Sequence, residues 1–151
     1  MQKFVDRGGN IWVVQIDVST IKRVRSLTGV DMLSVVEGDL IEQLSRDPVL
    51  LCDVLYAVCQ PQALAAQISD TAFGEGLAGD TIAEATAALL ESLVAFFPEP
   101  RRRLLQQAAS KYQTIQTKAL AMLETRLDDP ELEKRALAEL ETRLAAAASS
   151  D

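Results

Sequence analysis

The residues of this chain that could do chemistry are few, and their spacing limits each of them. There is no histidine among the 151 residues, which removes the usual general base, zinc ligand and pH switch together. Neither a Cys-His pair nor a Ser-His-Asp set can be assembled. Cys52 and Cys59 lie in a stretch of helical character, which puts their Cα atoms roughly 10 Å apart, too far for a bridge. They read as small buried hydrophobes in a reducing compartment. Gly-Glu-Gly-Leu-Ala-Gly at 74–79 lacks the preceding strand and the Lys-Ser/Thr of a phosphate loop, so it reads as a loop between helices. Asp70, Glu75, Asp80 and Glu84 could be imagined around a metal ion, but two of them sit at expected helix N-termini, where acids belong for dipole reasons. The reading is therefore of a protein without catalytic residues, cofactor or metal.

Charge is more informative. The net charge is −7, unevenly spread: residues 61–100 carry no Lys or Arg against six Asp and Glu, whereas residues 101–128 carry six Lys and Arg against two. Such blocks pair with one another, meet a partner of opposite sign, or are solvated helix faces. Arg101, Arg102 and Arg103 form the one basic cluster. Phosphate contact is its sharpest reading, yet no aromatic pattern accompanies it and the chain is acidic overall. A basic triplet at a helix start also opposes the helix dipole, so an acidic protein surface or the chain's own acidic segment is the stronger candidate.

After the arginines the chemistry is apolar. Leu104, Tyr112, Ile115, Leu132, Leu140 and Leu144 recur at helical spacing and form a stripe suited to packing on another helix, in this chain or in a partner. KALAMLETRL at 118–127 nearly repeats as RALAELETRL at 135–144. An offset of 17 residues turns the face by about −100°, and Pro130 lies between the copies, so two helices are expected rather than one.

The elements that position these residues start with a hairpin. Phe4 to Asp6 and Ile11 to Val18 read as strands around Arg7-Gly8-Gly9-Asn10, with Trp12, Val14, Ile16 and Val18 on one apolar face. Such a hairpin must be covered by helices, and its open edges could accept a strand from another subunit. Ser19 and Thr20 are expected to cap a helix that Gly29 ends, and Asp31 restarts the chain. Asp39 and Asp47-Pro48 open two further helices. The second, apolar nearly all round from Val49 to Cys59 with only Asp53 interrupting, is expected to be the buried central helix, ended by Pro61. Ser69 can cap a short helix. Asp80 is expected to cap a long one with Ile82, Ala85, Leu89, Leu93, Phe96 and Phe97 inward, and Pro98 and Pro100 stop it. Helices over 101–127 and about 131–147 complete the chain, split at Asp129-Pro130. The fold class is mainly α, a small N-terminal β-hairpin followed by a helical bundle and a C-terminal helix pair, with an N-terminal domain over 1–98 and a helical extension over 99–151. No window approaches the roughly 20 apolar residues of a membrane span, and the N-terminus lacks a signal peptide's apolar run, which predicts a cytoplasmic protein without a membrane partner.

A short strand leading into IKRVRSLTGVDML, then LLCDVLYAVC, then ISDTAFGEGLAGDTIAEATAALLESLVAFF, resembles the tail assembly chaperones of long-tailed bacteriophages and prophages. The resemblance covers about residues 10–97 and rests on pattern rather than an invariant motif. It implies a non-enzymatic protein of the host cytoplasm that binds the tape measure protein before the tail tube polymerises, and it carries no individual site residue onto this chain. The Ala-rich C-terminal helix pair and the acidic-then-basic charge layout depart from the family. The expected partners are thus a protein, with a tape measure protein suspected, and a second copy in a homo-oligomer. The alternative is a nucleic-acid-associated regulator using Arg101 to Arg103.

Overall fold

A computed structural model of the chain describes residues 1–149. The described residues form a two-stranded antiparallel hairpin followed by seven α-helices and one 3-10 helix, mainly α as the sequence predicts. Met1–Ala109 make one compact unit, and the chain from Ser110 onward makes a second.

In the first unit β1 (Gln2–Val5) pairs with β2 (Ile11–Val14), Phe4 opposite Trp12 and Gln2 opposite Val14. Side chains alternate across a strand, so Phe4, Trp12 and Val14 share one face, and all three are buried. β2 ends four residues before the expected Val18. The alternation at Ile16 and Val18 mimics strand, but Asp17 caps the next helix: its carboxylate accepts from the Thr20 N–H at 2.8 Å and from the Thr20 hydroxyl at 2.9 Å. The cap is therefore Asp17 rather than Ser19 or Thr20, and Val18 becomes an exposed first residue of α1 (Val18–Thr28). Gly29, at φ 75°, ends α1 as expected.

Asp31 caps a 3-10 helix, Met32–Val36, through the Leu33 N–H at 3.1 Å. α2 (Leu40–Arg46) follows Asp39, whose side chain makes no cap bond. The carboxylate of Asp47 accepts from the Val49 and Leu50 N–H groups, and Pro48 opens α3 (Pro48–Ala65). α3 passes straight through Pro61, which was expected to end it. The stop is a Schellman motif four residues on: the Ile68 N–H donates to the Ala63 carbonyl at 2.8 Å and the Gln67 N–H to that of Leu64 at 3.2 Å, with Gln67 itself at φ 57°.

By length and composition α3 is apolar enough to cross a membrane, which the sequence reading did not anticipate. In this fold its Leu51, Val54, Leu55, Val58, Cys59 and Ala63 are core residues. α4 (Asp70–Glu75) is capped by Ser69 and delivers Phe73, whose ring meets Trp12 edge-on at a centroid distance of 4.9 Å and Tyr56 at 5.6 Å. α5 (Asp80–Phe96) packs on β1, with Ala85, Leu89 and Leu93 buried. Its N-cap is Gly79, in a positive-φ conformation, and Asp80 lies in the first turn without a side-chain cap bond.

α6 (Arg101–Leu127) starts within this unit, because Leu105 is buried in its core. In the second unit the rest of α6 and α7 (Pro130–Ser149) are separated by a turn at Asp128 and Asp129, whose N–H groups donate to the carbonyls of Glu124 and Arg126.

Candidate protein-interaction surface

The polar groups buried in the first unit are matched, and they lock elements together. Asp6, 8% exposed, accepts from the indole N–H of Trp12 at 2.9 Å, from the Asn10 backbone N–H at 2.9 Å and from the Asn10 side-chain amide. Burial alone would push the Asp6 carboxyl up. The hydrogen bonds from Trp12, Asn10 and Gly8 outweigh it and hold the group below its ordinary value. Gly76 packs so close that a Cβ there would stand 2.9 Å from Asp6 Oδ2, and the Arg7 N–H donates to its carbonyl at 3.0 Å. The glycine-rich loop therefore accommodates the Asp6 cluster.

The outer edge of β2 is sealed at Val13. The side-chain amide of Gln62 accepts from the Val13 N–H at 2.9 Å and donates to the Val13 carbonyl at 2.8 Å, as a neighbouring strand would. At that position the edge is not open to a strand from another subunit. Beside it, Arg23 donates from Nε to the Ala57 carbonyl at 2.7 Å and from a terminal nitrogen to that of Val58 at 2.8 Å. Gln62 and Arg23, with Gln15, Asp17, Ser19 and Thr20, line a depression of about 230 Å³ where the start of α1 meets the end of α3.

Burial raises both thiols above their ordinary value. Burial pushes Cys59 up to about 12, against the opposing influence of Arg23. Burial, then Asp53 and Asp70, raise the half-buried Cys52. Asp70, Glu75, Asp80 and Glu84 are all exposed, and among the described residues no three potential metal-binding side chains converge.

Of the residues predicted to meet a partner, Arg101, Arg102, Arg103 and Leu104 lie in the first unit. Glu99 engages two of the arginines, Arg102 Nε at 3.2 Å and Arg103 Nε at 4.0 Å. The acidic segment thus reaches the basic one through its last acidic residue, and these exposed pairs contribute little to stability. Arg101 and Leu104 are exposed, Leu104 by 61%.

Tyr112, Ile115, Leu132, Leu140 and Leu144 lie in the second unit, where no residue from 113 to 149 is buried. Ile115, Leu132, Leu140 and Leu144 are exposed by 63, 42, 54 and 69%, and Tyr112 is half-buried. The apolar face is wider than the predicted stripe. Leu120, Met122, Leu123, Leu127 and Leu137 are also exposed, and the repeat itself signals all of these but Met122, since Leu120, Leu123 and Leu127 correspond to Leu137, Leu140 and Leu144. Roughly 50–100 Å² of each such side chain could be removed from water by burial, so the nine exposed ones together approach the roughly 800 Å² that each partner of a stable interface covers.

No protein-family model, curated protein or solved structure matches the chain.

Proposed function

We propose that this protein is a non-enzymatic assembly chaperone that holds an aggregation-prone helical partner, and that it acts as a phage tail assembly chaperone on a tape measure protein in the host cytoplasm. The observation that carries the reading is the second unit: the rest of α6 and α7, rich in leucine, in which none of the described residues from 110 to 149 is buried. An amphipathic helix laid on that surface would remove the leucines from water by helix-in-groove packing. The order of a short strand, IKRVRSLTGVDML, the apolar LLCDVLYAVC and ISDTAFGEGLAGDTIAEATAALLESLVAFF in residues 10–97 supports the family reading by resemblance. The shared carboxylate of Glu99 weighs against a phosphate role for Arg102 and Arg103.

Co-expression with a tape measure gene from the same neighbourhood, followed by affinity capture, tests the proposal. A soluble complex is expected. A tape measure protein that stays insoluble with and without the chain overturns it, and filter binding of nucleic acid that weakens steeply with salt would favour the regulator instead.

A further inference from the structure

Resting on that reading, we infer that the two copies of the decapeptide are two equivalent docking faces, each taking one amphipathic helix, so that the partner is held bivalently. In Lys118–Leu127 the leucines at 120, 123 and 127 are exposed by 61, 53 and 73%, and in Arg135–Leu144 those at 137, 140 and 144 by 55, 54 and 69%. Spacings of three and four put each trio on one helix face. Each face has the same charged borders, Glu124 and Glu141 on one side and Arg126 and Arg143 on the other.

Those borders select the occupant. Pairing two such faces antiparallel sets Glu against Glu and Arg against Arg, and pairing them parallel in register sets Ala119 or Ala136 against Glu. A second copy of this chain therefore leaves the charges opposed or unmatched. A foreign helix with Lys or Arg facing Glu124 and Glu141, and Asp or Glu facing Arg126 and Arg143, matches both borders.

Each trio offers roughly 150–300 Å² of apolar area, well below the roughly 800 Å² per partner of a stable interface. One face alone binds weakly. Two linked helices on two faces bind with the effective concentration of a tether, which raises affinity by about 10²-fold or more.

The test is a titration of the full chain with a synthetic helical peptide that carries leucines at three and four, Lys along one border and Glu along the other. A tandem of two such peptides on a flexible linker is run in parallel. We expect two single peptides per chain, one in Leu123→Glu or Leu140→Glu, and none in the double variant. The tandem should bind at least 10²-fold tighter and fall to single-peptide affinity in either variant. A peptide with its borders exchanged should bind at least tenfold more weakly. One peptide per chain, sensitive to only one leucine, overturns the duplication while leaving helix docking intact. Failure of every helical probe overturns both readings. A wild-type dimer in sedimentation that the double variant abolishes assigns the faces to a second copy and also overturns the inference.

Discussion

Arg23 supplies what Pro61 withholds. A proline at 61 has no N–H for the carbonyl of Ala57, and its ring crowds that turn of α3. The Arg23 guanidinium, reaching across from α1, donates to the Ala57 carbonyl at 2.7 Å and to the Val58 carbonyl at 2.8 Å. The helix therefore continues to Ala65, which carries Gln62 to the edge of β2. One arginine thus links an interior proline to the closure of the hairpin.

Arg23→Met should cost about 2 kcal/mol in urea unfolding, the scale of a charged hydrogen bond to a carbonyl, here that of Ala57, which Pro61 leaves without its helical N–H. In a Pro61→Ala background the regained N–H can serve Ala57, so the same substitution should cost less, with a coupling of about 0.5–2 kcal/mol. Additive losses would show that Arg23 acts independently of the proline.

Gln62→Ala should leave the Val13 N–H without its partner and the Val13 carbonyl with only the weak Cys59 thiol at 3.8 Å, and cost about 1–3 kcal/mol. Gln62→Glu keeps the acceptor and loses the donor, so it should restore little. Amide hydrogen exchange at Val13 is the local readout: faster exchange in both variants is expected, and unchanged protection would mean that something other than Gln62 closes the edge.

The Asp6 cluster makes a pH prediction. Its folded carboxyl lies below the ordinary aspartate value, so its contribution is complete above that value and is lost as pH falls through the folded one. Asp6→Asn should therefore be less stable than wild type at neutral pH, with the gap narrowing below about pH 4. Gly76→Ala would place a methyl group 2.9 Å from Asp6 Oδ2 and should cost about 1–3 kcal/mol as an overpacking change. Paired denaturation curves from pH 2 to 7 check both, and a pH-independent gap for Asp6→Asn would contradict the assignment.

Cys59, with its thiol pushed up to about 12 and fully buried, should resist iodoacetamide at pH 8 until the unit unfolds. Alkylation of Cys59 should track global unfolding in urea. Labelling of Cys59 in the native protein faster than the unfolding rate would show an opening that the packing does not provide for.

Local signals in the sequence were legible where one residue settles an element end. Asp47-Pro48 opens α3 and Gly29 closes α1 because capping and left-handed glycine act within a few residues. The inward stripe of α5 was legible from periodicity alone. What was missed depends on partners far along the chain. β2 stops at Val14, and α3 survives Pro61, because Asp17, Gln62 and Arg23 make bonds that no periodicity reports. Gln67 stands where a glycine is the usual helix stop, so only the Schellman bonds reveal it. The leucines of the second unit were legible as helical, but their lack of cover was not, since a stripe looks the same whether docked or bare.

The proposed role of those exposed leucines is to hold a helical partner. The most direct measurement is the solubility of a co-expressed tape measure protein with wild type and with the Leu123→Glu, Leu140→Glu double variant, alongside the melting of the first unit. Neither leucine is buried, so the melting temperature should stay within a degree or two, while the variant leaves the partner in the pellet. A double variant that keeps the partner soluble as well as wild type does would contradict the claim.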